Sequence, residues 1–125
     1  MNKLLILMAF TFFGLFSAKG YKDLTVNEFE VMLKQDETVQ LLDVRTPEEF
    51  AEYHLAGAIN IDWYGEGFAA QVQAQLDKAR PVMVYCRSGR RSASAAKVLD
   101  GLGFTTYNLK GGILAWTDAG KKVTK

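Results

Sequence analysis

An α/β domain, with a mostly parallel sheet covered by helices on both faces, is the fold class this chain predicts, and three observations carry the prediction. Short β-rich apolar runs at Val39–Val44, Ala58–Ile61, Val82–Tyr85 and Thr105–Leu109 alternate with stretches of helical spacing. Two Thr-x-x-Glu capping boxes, Thr25 to Glu28 and Thr46 to Glu49, open helices among them. The run Val82–Tyr85 is apolar throughout, as a buried strand requires, and leads through Cys86 into a helix-like stretch. Ligands of such sheets bind beyond the carboxyl ends of the strands, which is where Cys86 stands.

Each element has its own local reason. After the first capping box, Phe29, Met32 and Leu33 fall on one helical face, and the helix is expected to end near Gln35. Val39–Val44 then delivers Asp43 and Arg45 to a strand end. Thr46-Pro47-Glu48-Glu49 places proline at the first helical position of a short helix to about Tyr53. Asp62 to Gly67 is a loop whose Trp63 and Tyr64 either wall a pocket or simply pack. Phe68–Leu76 is helical, and Pro81 closes the link to the central strand. From Ala93 to Leu102 a helix presents Ala95, Ala96, Val98 and Leu99, a small-residue face that permits close approach to the sheet, and Gly101 and Gly103 mark its end. Lys110-Gly111-Gly112 turns into a last helix carrying Ile113, Leu114 and Trp116, with Trp116 in the core; Lys121–Lys125 is a polar tail expected to fray.

With 125 residues and 49% hydrophobic composition the chain predicts one domain with a single core. A net charge of +1 offers no general basic surface for nucleic acid, and one cysteine excludes an internal disulfide or a multi-cysteine metal site. Residues 1–20 differ from the rest. Lys3 precedes an uncharged apolar run, Leu4–Phe16, followed by Ser17, Ala18 and Gly20, which is the pattern of a secretory signal peptide. Cleavage after Gly20 leaves 21–125 as the domain and turns the charge to −1, since Lys3 and Lys19 leave with it. The expected location is therefore exported and periplasmic. An uncleaved membrane anchor is the alternative, although the run is short of the roughly twenty residues that span a bilayer.

Cys86 is the candidate nucleophile. A loop that ends at a helix N-terminus directs unpaired N–H groups and partial positive charge into its mouth. Gly89 lets that loop curl, and Arg87, Arg90 and Arg91 add three guanidinium groups, so the surroundings favour a thiolate over a thiol. An ordinary free cysteine is a small buried hydrophobe, and the three arginines are what argue against that reading. Asp43 and Arg45 are expected to bond each other or backbone groups rather than to react. His54, the only histidine, is read as structural, because a thiolate already stabilised needs no proton acceptor.

These residues resemble a known family. Cys86-Arg87-Ser88-Gly89-Arg90-Arg91 is similar to the six-residue active-site loop of single-domain rhodaneses, sulfurtransferases that carry a cysteine persulfide. Leu42-Asp43-Val44-Arg45-Thr46-Pro47-Glu48-Glu49-Phe50 with His54–Ile61, and Gly111-Gly112-Ile113-Leu114-Ala115-Trp116, resemble its flanking motifs, so the likeness runs from Leu24 to Ala119. Tyr53 departs from it, standing where the family usually has glycine. The resemblance implies a three-layer fold around a mostly parallel five-stranded sheet, with no cofactor and no metal. It makes Cys86 catalytic and places Arg87, Ser88, Gly89, Arg90 and Arg91 at the substrate, with loop amides, Arg87 and Arg91 on the anion and Arg90 turned outward. Asp43 and Arg45 become supports of the active-site side.

The implied partners are a thiosulfate-like anionic sulfur donor and a thiophilic acceptor such as cyanide or a thiol, a protein acceptor included. A persulfide carrier or interaction module is the second reading. A phosphatase or arsenate reductase on the same fold is the third and is disfavoured, since their loops are one residue longer and the sixth residue after the cysteine is here Ser92 rather than arginine. A membrane partner follows only if the N-terminal run stays uncleaved.

Overall fold

The structure, a computed structural model, describes residues 20–125. The signal-peptide expectation lies outside these residues, save for Gly20. Among the described residues no helix is long and apolar enough to cross a membrane.

Five strands, β1 (Lys22–Leu24), β2 (Gln40–Asp43), β3 (Ile59–Asn60), β4 (Val82–Tyr85) and β5 (Thr106–Leu109), form one sheet in the order β1-β5-β4-β2-β3. Every pairing is parallel, so the sheet is wholly and not mostly parallel. Helices α1 (Val26–Gln35), α2 (Pro47–Glu52), α3 (Phe68–Gln75), α4 (Arg90–Gly101) and α5 (Gly112–Asp118) connect and follow them. Side chains alternate across the pleat, and the continuous apolar run of β4 feeds both faces. Val82 and Val84 pack with Val72 of α3 and Ala95, Ala96 and Leu99 of α4. Met83 and Tyr85 pack on the other side with Phe29 of α1 and Ile113 and Trp116 of α5. Three layers follow from that division.

Both capping boxes form. Thr25 Oγ1 accepts the Glu28 N–H at 3.2 Å while Glu28 accepts the Thr25 N–H at 2.9 Å. Thr46 and Glu49 exchange the same pair of bonds at the start of α2. Three local expectations change. Strand β1, unread in the sequence, is a three-residue edge with Lys22 and Asp23 exposed, and its strand character comes from pairing in register with Tyr107–Leu109. Helix α4 begins at Arg90 rather than Ala93, because left-handed Gly89 (φ 99°) serves as its N-cap. The C-terminal tail is docked rather than frayed: His54 and Thr124 exchange two backbone bonds of 2.8 Å, and the Trp116 indole N–H donates to the Lys122 carbonyl at 2.9 Å.

From β2 the chain goes out to β3 at one edge, then returns to β4 on the other side of β2 and continues to β5. The direction of winding reverses between β2 and β4. Residues 43–45 and Cys86 leave the carboxyl ends of these two strands, at the point where such sheets bind ligands.

Candidate active site

The loop from Cys86 to Gly89 is held from behind by α5. The N–H groups of Ile113 and Leu114, which have no acceptor inside their own helix, donate to the carbonyls of Cys86 (2.9 Å) and Arg87 (3.1 Å). Within one trans peptide the C=O and N–H point in opposite directions, so the N–H groups of Arg87 and Ser88 face away from α5. Gly112 (φ 64°) makes the approach possible, since a Cβ there would lie 2.3 Å from the Arg87 carbonyl oxygen and 2.8 Å from that of Cys86. The Gly111-Gly112 pair is thus the mould of the cysteine loop.

Inside that mould the sulfur is an acceptor. Cys86 is 0% exposed, and its Sγ receives the Gly89 N–H at 3.1 Å and the Ser92 hydroxyl at 3.4 Å. The N–H groups of Arg90, Arg91 and Ser92 belong to the first turn of α4 and have no intrahelical acceptor, which adds partial positive charge beside the sulfur. Arg87, Ser88 and Arg90 are exposed and Gly89 is half-buried, so the loop shows water its polar rim and keeps the sulfur beneath.

Arg91 is arranged otherwise. Although the sequence assigns it to the anion, its two terminal nitrogens bond the two oxygens of Glu49 at 2.7 and 2.9 Å. Glu49 is also the carboxylate of the α2 capping box, so one side chain ties the first turn of α2 to the first turn of α4. The Arg91 bond holds the Glu49 carboxyl down at about 2, against an ordinary 4.5, despite partial burial. Tyr64, 71% exposed, stands with the Arg91 guanidinium 5.8 Å from its ring centroid, whereas Trp63 packs edge-on against Phe68 at 5.0 Å.

Asp43 and Arg45 form a buried pair at 2.7 Å, with Arg45 Nη2 also donating to the Tyr53 carbonyl at 2.7 Å. Burial by itself would ease deprotonation of Arg45, but the bonds and charge of Asp43 outweigh it and hold the guanidinium more firmly protonated. Next to them the Tyr85 hydroxyl accepts the Leu55 N–H at 3.0 Å. Burial, then the charge of Asp43, pushes that phenol well above its usual range. The network fixes the segment from Tyr53 to Leu55 over the ends of β2 and β4. His54 lies outside the sulfur's contacts: its ring stacks on Phe50 at 3.7 Å and Nδ1 is 2.8 Å from the Phe50 carbonyl.

Of the residues the sequence singled out, Cys86 to Arg91 lie together on one loop and helix turn, while Asp43 and Arg45 sit beside it at the end of β2. Ser92 and Glu49 entered the sequence reading only as a spacing marker and a helix cap. The signal for Ser92 was its place in the first turn of a helix that starts earlier than the apolar spacing indicates. Glu49 carried no local signal for Arg91, because 42 residues separate them. Among the described residues no group of three His, Cys, Asp or Glu side chains is placed to hold a metal.

A wholly parallel α/β sheet with a lone cysteine in a helix-capping loop at its winding reversal defines the class of protein. The rhodanese-like domain family matches residues 25–119, and the chain belongs to that family. It is similar to the thiosulfate sulfurtransferase GlpE of Shewanella oneidensis, 36% identical over 101 residues covering 80% of this chain and 96% of that protein. A sulfurtransferase of Allochromatium vinosum is 36% identical over 89 residues, 70% of this chain and 80% of its own. Among solved structures, a rhodanese-like domain protein from Staphylococcus aureus superposes with a TM-score of 0.70 at 29% identity, covering 83% of this chain and 99% of that one.

Proposed function

We propose that this chain is a sulfurtransferase that moves a sulfane sulfur from a thiosulfate-like donor to a thiophilic acceptor through a persulfide on Cys86. The family, with relatives named sulfurtransferases, supports sulfur transfer or carriage in general. One observation carries the finer reading: Cys86 Sγ receives an N–H and an O–H inside a loop braced by α5, an arrangement that a sulfur anion satisfies better than a neutral thiol does. In the loading step the Cys86 thiolate attacks the outer sulfur of thiosulfate, the sulfur–sulfur bond of the donor breaks, and sulfite leaves with the electron pair. The loop amides and Arg87 are the groups for the donor's anionic end; Arg91, already neutralised by Glu49, contributes less than the resemblance assigns to it. That same pairing weighs against phosphate chemistry, where an arginine must turn its fork toward the substrate. A buried sulfur also favours donors that present a single terminal sulfur atom.

The test is intact mass after incubation of residues 21–125 with thiosulfate. A gain of one sulfur atom, absent in Cys86→Ser and removed by cyanide with release of thiocyanate, is the expected result. Repeated turnover indicates an enzyme, and a single stoichiometric release indicates a carrier. Hydrolysis of an aryl phosphate with no gain of sulfur overturns the reading. Export directed by residues 1–20 belongs to the same proposal and is tested by fusing them to a reporter that works only outside the cytoplasm.

A further inference from the structure

We infer that Ser92 is a catalytic residue of the discharge step, its hydroxyl donating to Cys86 Sγ as the bond from that atom to the transferred sulfur breaks. The inference rests on the persulfide reading above and concerns the half of the cycle in which the acceptor takes the sulfur. Ser92 is fully buried, and among the described residues its Oγ has one hydrogen-bond partner, Cys86 Sγ at 3.4 Å. A serine in the first turns of a helix ordinarily bonds nearby backbone, either as a cap or back to the carbonyl four residues earlier. Here Gly89 supplies the cap position and no side chain caps α4. Side chains on a helix lean toward its N-terminus, and from the third position of α4 that lean carries the hydroxyl back to the sulfur.

The chemistry gives this contact a task. When cyanide attacks the outer sulfur of the persulfide, a carbon–sulfur bond forms, the sulfur–sulfur bond breaks, and its electron pair returns to Cys86 Sγ as thiolate while thiocyanate departs. Two negative charges enter and two remain, and no oxidant or further proton is needed. The departing charge therefore collects on an atom that is 0% exposed, where fixed protein donors must replace water. The structure provides two, the Gly89 N–H and the Ser92 O–H. The backbone donor is fixed by the fold, so the hydroxyl is the one that side-chain replacement can remove. The space left by Ser92→Ala, a single hydroxyl, is too small to admit a substituting water.

The experiment uses residues 21–125 loaded with thiosulfate, freed of excess donor and mixed with cyanide, with thiocyanate release followed in a single turnover. Ser92→Ala is expected to slow release by roughly a hundredfold to a thousandfold, the range for loss of one donor to a developing anion, while the rate of loading by thiosulfate, followed by intact mass, stays within threefold and the melting temperature is little changed. A merely structural role moves loading and melting temperature along with the rate. Release within twofold of the parent, or a loss in rate matched by an equal loss in loading, overturns the role of Ser92. Should the alanine variant not fold, Ser92→Thr, which keeps the hydroxyl, is used: release near the parent's rate supports the role, and a tenfold loss of release with unchanged loading overturns it. If the parent protein gains no sulfur at all, the persulfide reading falls and takes this inference with it, and the intact mass of the parent separates that failure from the others.

Discussion

Single residues decide the shape of the cysteine loop, and Gly112 decides most. Its left-handed φ of 64° costs a non-glycine residue about 1–2 kcal/mol. The added Cβ would also stand 2.3 Å from a carbonyl oxygen that α5 holds in place. Gly112→Ala is therefore expected to lower unfolding free energy by about 3 kcal/mol or more in urea titration, and to abolish sulfur uptake in whatever fraction remains folded. Gly57 provides the comparison. It too has a left-handed φ, 84°, but nothing lies within 4 Å of its would-be Cβ, so Gly57→Ala should show the conformational cost of about 1 kcal/mol with normal uptake. Equal losses at the two positions would refute the claim that close packing of α5 on the loop sets the cost.

Elements act on the site through their ends. Helix α2 is only six residues long and depends on its capping box, yet the carboxylate that closes the box also anchors Arg91 on α4. The folded Glu49 carboxyl titrates at about 2, below its ordinary 4.5, so its contribution to stability is complete above about pH 4.5 and fades as pH falls toward 2. Glu49→Gln keeps a capping-box side chain while discarding the charge. At neutral pH the variant is expected to be less stable than the parent by about 1 kcal/mol, as for a partly exposed bidentate pair. That difference should shrink steadily below pH 4.5 in urea titrations at a series of pH values. A difference that persists unchanged to pH 3 would show that the pair contributes through packing rather than charge.

At the scale of the whole molecule the two faces of the sheet meet different partners, and the C-terminus closes one of them. Lys121 bonds Glu30 on α1 at 2.8 Å, the indole of Trp116 reaches Lys122, and Thr124 pairs with His54 beside α2. The last five residues thus tie α1, α5 and the segment after α2 together. Deleting Lys121–Lys125 removes these bonds and should cost about 2 kcal/mol of unfolding free energy, at roughly 0.5–1.5 kcal/mol per net hydrogen bond. Because the cysteine loop is held by the opposite end of α5, sulfur uptake by the truncated domain should persist at temperatures where it stays folded. Full stability after truncation would show that the docked tail contributes nothing.

What the sequence determined by itself was the set of signals that act locally. Both capping boxes, the central strand Val82–Tyr85, the helix end marked by Gly101 and Gly103 and the lone cysteine between strand and helix are legible because hydrophobic period, cap chemistry and glycine each work within a few residues. The tertiary structure decided what depends on partners distant in the chain. Lys22–Leu24 becomes a strand only against β5, Arg91 turns to Glu49 across 42 residues, and Lys121–Lys125 finds its bonds in α1 and His54. Ser92 lies between these cases, close to Cys86 in sequence but aimed at its sulfur only because Gly89 starts the helix three residues before the apolar spacing does. Short-range preferences are written in neighbouring residues, whereas the pairing of polar groups is settled only when burial leaves each of them one place to bond.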